Sequence, residues 1–254
     1  MPSQLAAQLY TLRDFTKTPT DIARTLSRVK EIGYDAVQAS ALGPIDPKEL
    51  AHILKQEGLT CCATHTSLDR METDPRSVID EHQTLGCKYT AIGGYWEKGD
   101  ATAESWSQFA DRFNTVAKKF AGSGVRIGYH NHNHELVKYG GATALEILVQ
   151  KLDPSIFMEI DTYWITHGGG DPAQWITRVD GRIPCVHLKD MGINAKKEQF
   201  MAEVGEGNLN WPGILAACRG SGVEWYIVEQ DICYRDPFES LAISLKNLRA
   251  MGVS

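Results

Sequence analysis

The chain has 254 residues, 43% hydrophobic and 23% charged, an ordinary globular balance with enough length to bury one large core. Its formal charge of −6 sets 26 Lys and Arg against 32 Asp and Glu with no basic block, which argues against a nucleic-acid partner. No run approaches the ~18 apolar residues of a membrane span, and residues 1–14 lack a basic segment followed by an apolar stretch, so neither a membrane anchor nor a secretory leader is expected.

A cytoplasmic location is therefore expected. The cysteines agree with it: Cys61, Cys62, Cys87, Cys185, Cys218 and Cys233 form no CxxC pair, and several sit in apolar runs, as reduced and packed thiols do.

Along the chain one unit recurs: a helical stretch, a glycine, then a short apolar run. It is seen at residues 30–40, 55–65, 83–93, 122–132, 180–190 and 220–230. A glycine just past a helix accepts the left-handed conformation that closes the last turn, and four to six apolar residues suit a strand buried on both faces. Strands are expected at 5–12, 36–39, 60–65, 89–92, 126–130, 157–161, 185–188 and 225–229. The helices between them have readable starts. Thr20 precedes a run in which Ile22, Leu26, Val29 and Ile32 share a face. Asp46-Pro47, Asp171-Pro172 and Asp236-Pro237 each place a capping Asp before a Pro suited to the first helical position, and the last helix is expected over 237–251.

Strict alternation implies a parallel sheet, and eight units close into a single α/β domain, a (β/α)₈ TIM barrel over residues 1–254. A doubly wound open sheet is the alternative, but no glycine-rich phosphate loop follows the first strand.

Residues ending barrel strands point into the C-terminal mouth, where such folds place their chemistry. Here Asp161, His187 and Glu229 each end an apolar run on consecutive strands. Two carboxylates and an imidazole make a mixed shell for a divalent metal: Mn, Mg, Co, Fe or Zn. The segment HNHNHE at 130–135 is denser still. His130 falls at a strand end, with His132 and His134 on the loop beyond, offering a further ligand and an acid/base group. Lys189, in phase with His187, would steady an anionic intermediate or pair with Asp190. Gln8, Tyr10 and His65 end the first and third strands. Glu206 is either a mouth residue or a turn carboxylate. Trp164, Tyr95, Trp96 and Tyr129 would stack on a sugar face or serve packing.

The motifs at 9–14 (LYTLRD), 128–132 (GYHNH), 159–164 (EIDTYW), 186–190 (VHLKD), 204–207 (VGEG) and 228–231 (VEQD) resemble the xylose isomerase-like barrel superfamily. That group holds sugar isomerases, tagatose 3-epimerase-like enzymes, inosose dehydratases and endonuclease IV. The resemblance spans essentially the whole chain and is specific to the superfamily rather than to a substrate. It implies a metal held by Glu, Asp, His and Glu on strands five to eight. Asp161, His187 and Glu229 match the last three. At strand five His130 stands where Glu is expected. Glu135, five residues on, is then the expected ligand, with His130 or His132 as the alternatives. The two strand glutamates are the paired bases of the epimerases, so this departure bears on mechanism.

The leading expectation is a metal-dependent isomerase or epimerase of a keto sugar working through an enediolate. Its metal ligands would be Glu135, Asp161, His187 and Glu229, its catalytic groups Glu229, His130, His132 and Lys189, and its substrate contacts His65, Gln8, Trp164 and Glu206. The alternative is a lyase or dehydratase acting on inosose or 3-keto-glycosides by the same α-proton abstraction. An endonuclease-like or non-catalytic binding barrel is the third reading, disfavoured by the acidic charge. A homo-oligomer is left open.

Overall fold

Eight parallel strands close on themselves in the computed structural model, which describes residues 4–96 and 100–253. They are β1 (Leu5–Gln8), β2 (Ala36–Ala39), β3 (Thr60–His65), β4 (Tyr89–Ile92), β5 (Arg126–His130), β6 (Phe157–Asp161), β7 (Cys185–Leu188) and β8 (Trp225–Val228). Each pairs with its neighbours in chain order, and β1 pairs with β8 to complete the ring. This is a (β/α)₈ barrel. The expected strand positions are met closely, except that β1 ends at Gln8 rather than at residue 12. There the Gln8 side-chain oxygen accepts from the Tyr10 backbone N–H, and the chain turns into a 3₁₀ segment, Leu9–Phe15.

The helices follow from local chemistry. In α1 (Pro19–Ile32) the cap, two residues before the expected start at Thr20, is Thr18. Its hydroxyl accepts from the Asp21 N–H, with Pro19 at the first helical position. The expected Asp-Pro starts do open α2 (Pro47–Glu57), and later the helices Pro172–Arg178 and Pro237–Ala250. Gly58 ends α2 at φ 65°, a left-handed conformation that a side chain would strain.

Strand periodicity sorts the side chains. On β6, Met158 and Ile160 pack outward in the main core, whereas Phe157, Glu159 and Asp161 alternate with them. Phe157 joins Ala6, Ala36, Cys62, Tyr89, Cys185 and Ile227 in a second apolar cluster that plugs the lower barrel. Gly128 makes room for it, since a Cβ there would stand 2.5 Å from the Phe157 ring. Above this plug the interior turns polar. All six cysteines are unpaired thiols, five of them buried. Among the described residues no helix is long and apolar enough to cross a membrane.

Candidate active site

Four side chains from consecutive strands converge above the apolar plug. His130 ends β5, Asp161 ends β6, His187 lies on β7, and Glu229 directly follows β8. One ligating atom from each lies within 4.8 Å of the other three, and all four residues are buried. His187 Nδ1 stands 2.9 Å from Glu229 Oε2 and 3.8 Å from Asp161 Oδ2, and no hydrogen bond satisfies it. His130 Nδ1 faces the Gly93 carbonyl at 3.3 Å; a carbonyl only accepts, so the proton sits on Nδ1 and Nε2 turns to Asp161 Oδ2 at 3.4 Å. The other Asp161 oxygen accepts from the Trp164 N–H, which fixes the carboxylate's orientation. An orphaned imidazole nitrogen, a second inward nitrogen and two carboxylate oxygens in this space are a donor set that fits a divalent cation.

Lys189 continues the inward phase of β7 and is 1% exposed. Its ammonium lies 2.8 Å from Glu229 Oε2, 3.0 Å from Asp161 Oδ2 and 3.0 Å from Asp231 Oδ2. The expected pairing with Asp190 is not formed. Asp190 instead accepts from the N–H groups of Gly205 and Gly207 and from the Trp211 indole, pinning the turn after β7. Burial alone would raise the Asp161 and Glu229 carboxyls, but the Lys189 ammonium and the neighbouring imidazoles hold both well below the usual carboxylate range. Burial likewise opposes charge on Lys189, yet the three carboxylates hold it well above an ordinary lysine.

A cavity of about 600 Å³ opens over this cluster. His65, His130, His132, Trp164, Lys189 and Glu229 line it, together with Tyr10, Trp96 and Asp231. His132 sits between Trp96 and Trp164, ring centroids 5.1 and 5.3 Å away, with its Nδ1 buried and unpartnered. Burial first, and the nearby His130 second, lower its pKa to about 3. A groove of about 740 Å³ alongside α2 meets this cavity at Ala41 and His65.

Several sequence expectations are corrected here. Glu135 stands outside the four-residue cluster: its oxygens accept from the Tyr129 hydroxyl at 2.7 Å and the His132 N–H at 2.9 Å. Gln8 is fully buried beneath the cavity and bonds Gln38, not a mouth ligand. Glu206 is the turn carboxylate, exposed and hydrogen-bonded to Asn247. Tyr95 stacks on Phe109 at 4.0 Å and Tyr129 is wholly buried, so both serve packing. Conversely, sequence reasoning passed over Glu159, Gln38 and Asp231. The signal for Glu159 was present: it lies two residues before Asp161 on the same strand face, a carboxylate inside an apolar run.

The chain is 27% identical over 219 residues to an inosose dehydratase of Geobacillus kaustophilus, covering 75% of this chain and 70% of that protein. A sugar phosphate isomerase/epimerase from Parabacteroides distasonis has the same fold, with TM-score 0.85 and 21% identity over 100% of this chain and 96% of that one. So has the IOLI protein solved with a binding zinc atom, with TM-score 0.70 and 14% identity over 98% and 97% of the two chains. Residues 26–251 match the profile of the xylose isomerase-like TIM barrel, and the chain belongs to that family.

Proposed function

We propose that the protein is a divalent-cation-dependent carbon–oxygen lyase acting on a small polyhydroxylated ketone, a keto-cyclitol or keto-sugar, in a dehydratase-type elimination. The observation that carries this is the His132 imidazole lining the mouth between Trp96 and Trp164, beside a cluster whose carboxylates are already engaged by Lys189, His130 and His187. The curated relatives that match across most of the chain carry the name inosose dehydratase, which supports the same reading.

In this reading His130, Asp161, His187 and Glu229 hold the cation. A bound divalent cation would polarise the substrate carbonyl and lower the barrier to loss of the α-proton. His132, a neutral imidazole lining the cavity between two indoles, accepts that proton. The electron pair left on carbon forms the new double bond as the β carbon–oxygen bond breaks. The imidazolium then returns the proton to the departing oxygen, so that water or an alcohol leaves. Lys189 offsets the charge of the cluster, and Trp96 and Trp164 offer apolar faces to the ring of the substrate. Zinc, the ion in the IOLI structure, and manganese are the ions to supply first.

Epimerisation is the second reading, favoured by one feature: His132 beyond β5 and Glu229 after β8 line the same cavity from strands three apart in the barrel. The two are separated by incubating cation-loaded protein in deuterium oxide with an inosose, a free ketose and a 3-keto-glucoside. The expected result is an unsaturated ketone absorbing in the ultraviolet from the inosose or the glycoside. Deuterium entering the α position with no unsaturated product would overturn the lyase reading in favour of epimerisation. Neither, in protein shown to bind cation, would remove both.

A further inference from the structure

Beneath the ligand cluster lies a hydrogen-bond chain whose direction is dictated at both ends. It starts at the Tyr10 backbone N–H, which can only donate and points at Gln8 Oε1, 3.2 Å away. Gln8 must therefore turn its amide nitrogen to Gln38, whose Oε1 accepts at 2.7 Å. Gln38 then presents its own amide nitrogen to Glu159 Oε1 at 2.9 Å. At the far end the ionised Glu159 carboxylate can only accept, so the two ends demand the same orientation of both glutamines. Gln8, Gln38 and Glu159 are all fully buried, out of reach of bulk solvent.

Two histidines hang on this chain. His187 Nε2 lies 2.6 Å from Gln38 Oε1, an atom already shown to be an acceptor, so Nε2 carries a proton. Glu159 Oε1, 3.5 Å from the same nitrogen, reinforces the choice. The nitrogen left to offer a lone pair is Nδ1, the one facing Asp161 and Glu229. His65 Nε2 lies 2.7 Å from Glu159 Oε2 and must donate too, which makes Nδ1 the acceptor nitrogen of a residue lining the cavity.

We infer that Glu159 is a positioning residue: acting through Gln38 and directly on His65, it sets the tautomer of two site histidines at once, aiming His187 Nδ1 at the cation cluster and leaving Nδ1 as the acceptor of His65. This accounts for a fully buried carboxylate in the barrel interior that takes no place in the four-residue cluster. A carboxylate in that place costs desolvation unless its partners need it there. The inference rests on the reading of the upper cluster as a cation site.

The test uses ¹⁵N-labelled histidine in the full chain, with imidazole shifts reporting which nitrogen is protonated, beside calorimetric titration with zinc alone. In the wild type both His187 and His65 should carry the Nε2 proton, before and after zinc. Glu159→Gln faces an amide donor against His65 or Gln38, so His65 should shift toward its Nδ1–H form. Zinc affinity should fall about ten- to hundredfold, as is usual when a partner behind a ligand is removed. Gln38→Met keeps the Glu159–His65 contact, and is expected to weaken zinc binding by a similar factor while leaving the His65 tautomer unchanged. Wild-type His187 lacking the Nε2 proton would overturn the inference whether or not the variants fold. So would Glu159→Gln with both tautomers unchanged and zinc affinity within about twofold of wild type. Absence of zinc binding in wild type would sink the cation-site reading of the upper cluster, and the aim assigned to His187 Nδ1 with it. The tautomers of the metal-free protein would still decide the role of Glu159, so the two failures are distinguishable.

Discussion

The Lys189 ammonium and His187 Nδ1 share a single oxygen: Glu229 Oε2 lies 2.8 Å from the first and 2.9 Å from the second. The lysine thus neutralises the carboxylates that the cation cluster would use. Replacing it with methionine keeps the volume and leaves Asp161, Glu229 and Asp231 facing one another. We expect Lys189→Met to destabilise the cation-free protein by about 3–5 kcal/mol, the usual consequence of removing one side of a buried ion pair. Zinc should then raise the Tm of the variant more than that of the wild type. Equal denaturant midpoints for the two proteins in chelator would show that Lys189 carries no such charge compensation.

His132→Gln separates proton transfer from ligation. The side chain lines the cavity without belonging to the cation cluster. Removing a general base typically slows turnover about 10²–10⁴-fold, so kcat should fall by that much while zinc affinity is retained. Wild-type exchange of the substrate α-proton with solvent deuterium in this variant would move the base to Glu229 or His65.

Glu135→Gln decides between the role expected from the sequence and the position found. In the fold this carboxylate ties the Tyr129 hydroxyl to the His132 N–H, and burial raises its pKa. Losing one of those bonds should cost about 1–3 kcal/mol of stability and leave zinc stoichiometry at wild-type level. A loss of stoichiometric zinc without loss of stability would restore Glu135 as a ligand.

His82 gives the protein a pH-dependent stability term away from the site. It is fully buried; Nδ1 reaches the Val78 carbonyl at 2.7 Å and Nε2 reaches the Thr64 hydroxyl at 2.7 Å. The carbonyl only accepts, so Nδ1 carries a proton, and Nε2 lies against the Thr64 hydroxyl. Burial lowers its pKa, which keeps the ring neutral in the fold, whereas the unfolded ring titrates near ~6.5. Stability from this group is therefore complete above that unfolded value and is lost as pH falls below it toward the folded pKa. Denaturation of the wild type and of His82→Gln between pH 5 and 8 should show a shallower pH dependence in the variant. Parallel curves would mean that the ring titrates in the fold as it does in the unfolded chain.

The barrel was legible before any coordinate, because its reasons are local. Glycine after a helix, a capping Asp or Thr before Pro, and short apolar runs repeat along the chain, and each acts within a few residues. The strand-end residues Asp161, His187 and Glu229 were legible on the same terms, since period two and an apolar run say which end faces the mouth. Three things required the closed barrel. Whether His130 or Glu135 reaches the cluster depends on how the loop after β5 folds back, and Tyr129 captures Glu135 from the outer face of its own strand. Lys189 chose Asp231 over the adjacent Asp190 because the turn at Gly205 and Gly207 had already claimed Asp190. The layer of Gln8, Gln38, His65 and Glu159 draws one residue from each of four strands up to 151 positions apart. Only ring closure brings them within hydrogen-bond reach, and no local pattern records that meeting.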